Sequence, residues 1–151
     1  MEKIMFGAGC FWGVESAFRK LKGVTNVTVG YSGGTKEHPS YEDVCSDKTG
    51  HAEVALVEYN PEVISISDLL TTFWSIHDPT SLNQQGPDIG SQYRSAIYFY
   101  NQEHEPIIKD SLTKQSQILN KEIVTEVLEA GDFWKAEEYH QCYLEKKKSQ
   151  F

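Results

Sequence analysis

Residues 3–23 read KIMFGAGCFWGVESAFRKLKG, and within them the apolar pattern changes from that of a strand to that of a helix. The short apolar run that ends at Phe6 predicts a buried strand, and Gly7-Ala8-Gly9 predicts a tight turn. After Cys10, apolar residues recur at helical spacing, at Phe11, Val14, Phe18 and Leu21. The pattern therefore predicts a strand–turn–helix unit, with Cys10 at or near the start of the helix.

The rest of the chain continues this alternation of strands and helices. Alternating or apolar runs predict strands at 24–31, 52–59, 93–100 and 123–128. Helical spacing and capping residues, the first of them Ser67, predict helices over 67–78, 101–119 and 136–147. Two segments without a clear period, 32–50 and 78–92, are predicted to be mostly loop.

The 32–50 segment is informative about the sheet because it joins two neighbouring strands without a crossover helix. This arrangement disfavours a doubly wound parallel sheet. We therefore expect an α/β (α+β) two-layer sandwich, in which a mixed β-sheet carries flanking helices. No repeat, low-complexity tract or linker divides the chain, so we expect a single domain over 1–151.

The net charge narrows the classes of partner. The 151 residues include 14 Lys and Arg against 22 Asp and Glu, which gives a formal net charge of −8. An acidic chain disfavours nucleic acid or an anionic membrane as the main partner, because either requires a basic face. No apolar run approaches the roughly 20 residues of a membrane-spanning helix. The opening residues, soon interrupted by glycine, do not have the pattern of a signal peptide.

The three cysteines bear on location and on metal binding. An odd number argues against a secreted disulfide framework and for reduced thiols, so we expect a cytoplasmic protein. Cys10, Cys45 and Cys142 are far apart in the sequence, and no close pair of Cys or His has the spacing of a zinc site. No phosphate loop or dinucleotide-binding motif follows a strand. We expect neither a metal nor another cofactor.

Cys10 is the strongest candidate for a reactive group. Free backbone N–H groups at a helix start, together with the positive end of the helix dipole, stabilise a thiolate and would lower the pKa of this thiol. The glycines before it allow a ligand to approach the backbone closely. The alternative is that Cys10 is a small buried hydrophobic residue, which is a common role for a single cysteine.

Glu53 and His51 lie together in the sequence GHAEVA at the start of a predicted strand. If Glu53 is buried, its pKa rises and a neutral acid becomes available near neutral pH. Strand alternation also allows Glu53 to face solvent. His51 is either a loop residue or a base, and a Cys–His pair with Cys10 would indicate a hydrolase or acyltransferase.

Two loop segments supply further polar candidates. In GPDIGSQYR, residues 86–94, Asp88 and Tyr93 have groups that can hydrogen-bond a polar substrate. They are alternatively a turn aspartate and a core tyrosine. Tyr41 lies in the 32–50 loop, where an aromatic side chain needs a reason to be held in place.

Taken together, these segments resemble one family, the A class of peptide methionine sulfoxide reductases. Six motifs carry the resemblance in order: GCFWG at 9–13, GYSGG at 30–34, YxxVC at 41–45, GHAEV at 50–54, FWxxHDP at 73–79 and GSQYRSAIY at 90–98. The match extends to about AEEYHQ at 136–141. It implies a mixed α/β two-layer fold and an enzyme that repairs oxidised methionine without a bound cofactor.

The resemblance also implies roles for individual residues. Cys10 would be the nucleophile that attacks the sulfoxide sulfur and becomes a sulfenic acid. Glu53 would be the neutral acid that protonates the sulfoxide oxygen, which the hydroxyl groups of Tyr41 and Tyr93 would also bind. A proton delivered to oxygen is chemically necessary, because the sulfoxide oxygen is a poor leaving group.

For the substrate, the resemblance implies the S epimer at sulfur, in oxidised proteins or peptides or in free methionine sulfoxide. Phe11 and Trp12 would form an apolar slot for the terminal methyl group, and Asp88 would help to orient the substrate. Thioredoxin or another thiol would be the reductant, and neither nucleic acid nor membrane is implied as a partner.

The recycling step is where the sequence departs from the family pattern. Many members carry resolving cysteines in a glycine-rich tail beyond the last helix, and the sequence up to Phe151 has no such tail. Cys142 is the cysteine nearest this end, and we expect it, or an external thiol or thioredoxin, to resolve the sulfenic acid. Cys45 falls where the family does not place its nucleophile, and we expect it to be structural.

Two other functions compete with the reductase. One is the Cys10–His51 hydrolase or acyltransferase, which predicts an acyl product and sensitivity to His51→Ala. The other is a non-catalytic peptide-binding module built on Phe11 and Trp12, which predicts that Cys10→Ser leaves binding intact.

Overall fold

The computed structural model describes residues 1–148. Its strands are β1 Glu2–Ala8, β2 Val24–Ser32, β3 Ala52–Tyr59, β4 Gln84–Gln85, β5 Asp88–Ile89, β6 Ser95–Phe99, β7 Glu126–Glu129 and β8 Phe133–Lys135. Its helices are α1 Phe11–Arg19, α2 Tyr41–Cys45, α3 Ile66–Ser75, α4 His104–Leu119 and α5 Tyr143–Lys148, with 3₁₀ turns at Ser91–Tyr93 and Glu138–His140.

Six strands form one sheet in the order β7-β6-β1-β3-β2-β8. All neighbouring pairs are antiparallel except β6 and β7, which are parallel because α4 connects them as a crossover. The expected mixed sheet with flanking helices is confirmed. β4 and β5 form a separate small hairpin within the 78–92 segment.

The main core lies between one face of the sheet and the helices α1, α3 and α4. Phe6 of β1 is fully buried at its centre, with its ring centroid 4.7 Å from that of Phe18 and 5.1 Å from that of Phe73. The predicted change of period after Gly9 is therefore correct: alternate residues of β1 and the apolar stripe of α1 meet in this core.

The structure corrects several boundaries. The 32–50 segment contains the short helix α2, because Ser40 and Asp43 form a capping box that the prediction overlooked. The helix predicted from Ser67 begins at Ile66 and is capped by Ser65. The strand predicted from Tyr93 begins at Ser95.

The prediction of one helix over 136–147 is wrong. This part of the chain instead follows β8 with a 3₁₀ turn and the short α5, and Cys142 between them has a positive φ of 55°. Tertiary contacts outweigh helix propensity here, since the buried His140 and Gln141 side chains bond to α1 and β2. Within residues 1–148, no helix combines the length and the apolar character needed to span a membrane.

Candidate active site

Cys10 lies between the end of β1 and the first turn of α1, as predicted. Gly9 before it has a φ of 92°, which residues with a side chain rarely adopt, and Cys10 itself is the N-cap residue. Its sulfur is half-buried and unpaired. The turn thus brings the thiol to the edge of the main core, beside the first free amides of the helix.

Glu53 is in β3 and faces the helix layer. It shares that face with Ala55, Val57 and Tyr59 in the main core, so alternation along the strand directs it inward. Its Oε1 accepts a hydrogen bond from the backbone N–H of Phe11 at 3.3 Å, while Oε2 is buried with no hydrogen-bond partner among residues 1–148. The inward orientation of Glu53 follows from strand pairing.

Burial raises the pKa of Glu53 to about 7. Hydrogen bonds from the Phe11 amide and the Gln92 side chain oppose this rise, and the negative charge of Asp88 adds to it. A carboxyl group of this kind is partly protonated at neutral pH and can give or take a proton there. The expected elevated pKa is confirmed.

The expected lowering of the Cys10 pKa is wrong. Burial raises the pKa of Cys10 to about 11, and the charges of Glu53 and Asp88 also raise it, against a hydrogen bond from the Trp12 amide. Desolvation and two nearby carboxylates thus outweigh the stabilisation that the start of α1 offers to a thiolate. In the free protein, Cys10 is therefore a thiol.

Tyr41 and Tyr93 come to this site from separate segments. Tyr41 begins α2 and its backbone N–H donates to Glu137 at 3.0 Å, and Tyr93 ends the 3₁₀ turn before β6. Burial raises the pKa of Tyr93 to about 12 and that of Tyr41 further, and the charge of Glu53 contributes to both. Both hydroxyl groups therefore remain protonated donors near neutral pH.

An aromatic cluster lies beside Cys10. Phe11 is fully buried, and its ring centroid is 5.2 Å from that of His140. Trp12 stacks on Tyr143 at 3.8 Å and donates its indole N–H to Nδ1 of His140 at 3.0 Å. Burial lowers the pKa of His140, which favours the neutral ring. The result is an apolar wall whose orientation depends on the C-terminal segment.

Asp88 and Gln92 complete the polar side of the site. Asp88 is half-buried in β5 and lies close enough to raise the pKa of both Cys10 and Glu53 by its charge. Gln92 is buried, and its amide donates to Sγ of Cys45 at 3.4 Å. Cys45 is exposed at the end of α2. Our expectation that it is a structural cysteine is therefore not supported by burial.

His51 is buried but is not available as a base for Cys10. Its Nδ1 accepts the backbone N–H of Gly34 at 3.0 Å, and its Nε2 lies 2.7 Å from the carbonyl oxygen of Lys36. Both ring nitrogens are thus occupied by the backbone of the 32–50 segment. This arrangement removes the observation that favoured a Cys–His hydrolase.

Cys142 follows the 3₁₀ turn at Glu138–His140 and contacts α1 at Glu15, beyond the position of Cys10 at the start of that helix. Its backbone N–H donates to the buried carboxylate of Glu15 at 2.8 Å, and Glu15 is also paired with Arg19 at 2.9 Å. Burial, then the charge of Glu15, raise the pKa of the Cys142 thiol. Glu15 is five residues after Cys10, or about 7.5 Å along the helix axis.

Four residues of the site were not singled out from the sequence, namely Gln92, Glu137, His140 and Tyr143. Three of them lie in the segment predicted as one polar helix, which in the structure is a 3₁₀ turn followed by α5. For Glu137 and His140, the available sequence signal was the AEEYHQ motif at 136–141, to which the family resemblance extends. Among residues 1–148, no group of three or more His, Cys, Asp or Glu side chains is arranged to hold a metal ion.

Comparison with known proteins identifies the family of the chain. The sequence profile of the family described as "Peptide methionine sulfoxide reductase" matches residues 2–151. Peptide methionine sulfoxide reductase A4, chloroplastic, of Arabidopsis thaliana is 57% identical over 93% of this chain and 55% of its own length, so the chain spans about half of that relative. Peptide methionine sulfoxide reductase MsrA of Methanothermobacter thermautotrophicus is 56% identical over 96% of this chain and 87% of its own length.

Solved structures show the same fold. The reduced form of Mxr1 from Saccharomyces cerevisiae superposes with a TM-score of 0.93 and 35% identity, over 99% of this chain and 87% of Mxr1. Mxr1 in complex with Trx2 matches with a TM-score of 0.68 and 28% identity, over 94% of this chain and 84% of Mxr1. The chain belongs to the peptide methionine sulfoxide reductase family, A class.

Proposed function

We propose that this site reduces the S epimer of methionine sulfoxide, peptide-bound or free, to methionine. Membership of the family supports the reaction. The observation that carries it is the hydrogen bond between the Phe11 amide and Glu53, which holds a carboxyl group with a pKa of about 7 next to the Cys10 nucleophile. The combination of a thiol and an adjacent acid is what reduction of a sulfoxide requires.

The protons that Cys10 and Glu53 hold before substrate binds determine how the reaction starts. With pKa values of about 11 for Cys10 and about 7 for Glu53, a single shared proton stays on sulfur. Moving it to the carboxylate is therefore unfavourable before substrate binds. Glu53 thus serves as a relay, taking the thiol proton and delivering it to the sulfoxide oxygen.

The atoms and electrons balance without a cofactor. The Cys10 sulfur attacks the substrate sulfur while the relayed proton goes to oxygen, and the S–O bond of the substrate breaks. The net change is Cys10–SH + R–S(O)–CH₃ → Cys10–S–OH + R–S–CH₃, in which the substrate sulfur gains two electrons and the Cys10 sulfur loses two. The product on the protein is a sulfenic acid.

The substrate is held on three sides in this scheme. Phe11 and Trp12 receive the methyl group, and the hydroxyl groups of Tyr41 and Tyr93 donate to the oxygen together with Glu53. The hydrogen bonds from these donors strengthen as charge develops on the oxygen. Because the tyrosine pKa values are raised, the donors do not themselves lose a proton. Asp88 orients the rest of the substrate.

Thiols complete the cycle. A thiolate attacks the sulfenic sulfur, giving a disulfide and water, and a second thiol releases Cys10. Thioredoxin is the reductant we propose, supported by the Mxr1–Trx2 complex. Cys142 can serve as an internal resolving thiol only if the segment around it leaves Glu15. Counting free thiols after one equivalent of substrate without reductant separates the two routes: loss of two with a Cys10–Cys142 peptide indicates the internal one.

The test of the proposed function uses single epimers of a blocked methionine sulfoxide with dithiothreitol. We expect the sulfide from the S epimer and no turnover in Cys10→Ser. If neither epimer is reduced, the proposal is wrong. Peptide binding that persists in Cys10→Ser without any reduction by the wild type would favour the non-catalytic module instead.

We also propose a cytoplasmic protein that repairs oxidative damage. The three unpaired cysteines support this location. Fractionation of the cells that produce the protein, with a probe for methionine sulfoxide in the same fractions, tests it. Recovery of the protein outside the cytoplasm would contradict it.

A further inference from the structure

A cleft beside Cys10 includes Asp88, and the reaction scheme above assigns no other role to the residues opposite Cys10 in it. Its volume is about 340 Å³, near the lower limit for pockets that hold small ligands. Cys10, Gly13 and Val14 at the start of α1 line one side. The opposite side is formed by Ile76 after α3 and by the hairpin of β4 and β5, which includes Asp88.

The proposed function assigns the third substituent of the substrate sulfur to Asp88 without saying what surrounds it, and the inference rests on that function. The methyl group lies against Phe11 and Trp12, and the oxygen faces Glu53. The third substituent is the methylene arm that leads to the main chain of the substrate. Because Cys10 is part of the wall of the cleft, a sulfoxide within reach of its sulfur can direct this arm into the cleft.

Asp88 is the open polar group of the cleft. The side chain of Gln85 is committed to the backbone of Asp78, accepting its N–H at 2.9 Å and donating to its carbonyl at 2.7 Å. Both ring nitrogens of His77 lie within 2.8 Å of protein oxygens. The Asp88 carboxylate, in contrast, has no hydrogen bond or ion pair with any residue in the described range 1–148. It therefore favours a ligand with an N–H donor or a positive charge.

Gly13 has no reason within the fold to be a glycine. It lies in the first turn of α1 with an ordinary helical φ, and a Cβ added there would have nothing within 4 Å. Glycine costs roughly 0.5–1 kcal/mol relative to alanine inside a helix. At Gly34, by comparison, an added Cβ would lie 2.4 Å from the backbone at His51. The bare backbone at Gly13 instead keeps the cleft open next to Cys10.

We propose that this cleft is the subsite for the residue next to the oxidised methionine in a peptide. Ile76 supplies apolar surface to that residue, and Asp88 supplies a negative charge. The preferred substrate class is therefore peptide-bound methionine sulfoxide with a neutral or basic neighbour. An acidic neighbour is disfavoured, because it brings a second carboxylate close to Asp88.

The test fills the cleft by Gly13→Leu and uses Gly131→Leu as the matched control. Gly131 also has nothing within 4 Å of an added Cβ, and it lies in the loop before β8, away from the cleft. KM is measured with dithiothreitol for the S-sulfoxide of free methionine and of Ala-Met-Ala, and thermal unfolding is followed in parallel. Leucine is a good helix former, so Gly13→Leu should unfold no earlier than the wild type.

We expect Gly13→Leu to raise the ratio of the tripeptide KM to the free methionine sulfoxide KM by about tenfold, because the added side chain clashes with the neighbouring residue. Gly131→Leu should leave this ratio unchanged. For the wild type, kcat/KM for Lys-Met-Lys sulfoxide should exceed that for Glu-Met-Glu sulfoxide, and Asp88→Asn should narrow the difference.

An unchanged ratio in Gly13→Leu, or equal kcat/KM for the two charged peptides, overturns the proposal. The same holds if, with thioredoxin as reductant, Gly13→Leu raises the KM for thioredoxin and not that for the tripeptide, because the cleft then belongs to the reductant. If the wild type reduces none of these sulfoxides, it is the proposed function that fails.

Discussion

Replacing Glu53 by glutamine distinguishes proton donation from thiol ionisation, because the two effects have opposite signs. Glutamine keeps the shape of the side chain and an oxygen for the Phe11 amide, which now bonds Glu53 at 3.3 Å. It cannot deliver a proton to the sulfoxide oxygen. Loss of a positioned acid costs about 10²–10⁴-fold in rate, so we expect the single-turnover rate at pH 7.5 to fall by at least about 100-fold.

The reactivity of the Cys10 thiol should change in the other direction. The charge of Glu53 is one of the causes that raise the pKa of Cys10, so removing it lowers that pKa. Alkylation of Cys10 by iodoacetamide near pH 8 depends on the thiolate fraction. We therefore expect Glu53→Gln to be alkylated faster than the wild type while it reduces sulfoxide more slowly.

The pH profile gives an independent check. The reacting pair holds one proton, so below a pH of about 7, where both groups are protonated, the wild-type rate should fall as the pH is lowered. Above about 7 the rate should stay level until Cys10 ionises. In Glu53→Gln the inflection near 7 should be lost, and the rate should follow thiolate formation alone.

The assay is rapid-quench measurement of methionine formed in one turnover, with alkylation followed by mass spectrometry. Glu58→Gln is the matched control, because Glu58 lies on the same strand but outside the site. It should leave both rates unchanged. Single-turnover rates within a few-fold of the wild type, or slower alkylation of Cys10 in Glu53→Gln, would refute the proton-relay argument.

Three further predictions concern stability and the oxygen-binding groups. Since the pKa of Glu53 is raised from 4.5 to about 7, its ionisation destabilises the wild type progressively as the pH rises between these values. Glu53→Gln should therefore gain roughly 3 kcal/mol relative to the wild type between pH 4.5 and 8, measured by urea unfolding. Phe6→Ala removes a buried ring that stacks on Phe18 and should cost about 3–5 kcal/mol in the same assay, with no change in the site. Combining Tyr41→Phe with Tyr93→Phe should slow single-turnover reduction by at least about tenfold without changing the alkylation rate of Cys10, and an unchanged reduction rate would remove both hydroxyl groups from the mechanism.

Local sequence pattern was sufficient to predict a helix or strand where neighbouring residues alone define it. The glycine turn before Cys10 and the apolar stripe after it predicted the start of α1 because capping and periodicity are properties of neighbouring residues. The same reasoning failed over 136–147, where helical spacing is present but His140 and Gln141 are drawn to α1 and β2. Long-range bonds overrode local propensity in that segment.

The pKa values of Glu53 and Cys10 could not be predicted from local sequence in the same way. For Glu53, the burial that raises its pKa depends on which face of β3 meets α1. For Cys10, the helix start predicted a lowered pKa, but desolvation and two carboxylates from β3 and β5 raise it. Neither Glu53 nor Asp88 is close to Cys10 along the chain, so their effect is absent from its local pattern.

Composition, periodicity and the ordered motifs were enough to predict the family and the mixed sheet with its helices, and to nominate the residues proposed to carry the chemistry. The distribution of protons between sulfur and carboxylate, the engagement of His51 and Cys142 elsewhere, and the cleft beside Gly13 emerged from packing alone. The physical reason is that residue type and spacing act over a few positions of chain. Desolvation and charge act through space, between segments that folding brings together.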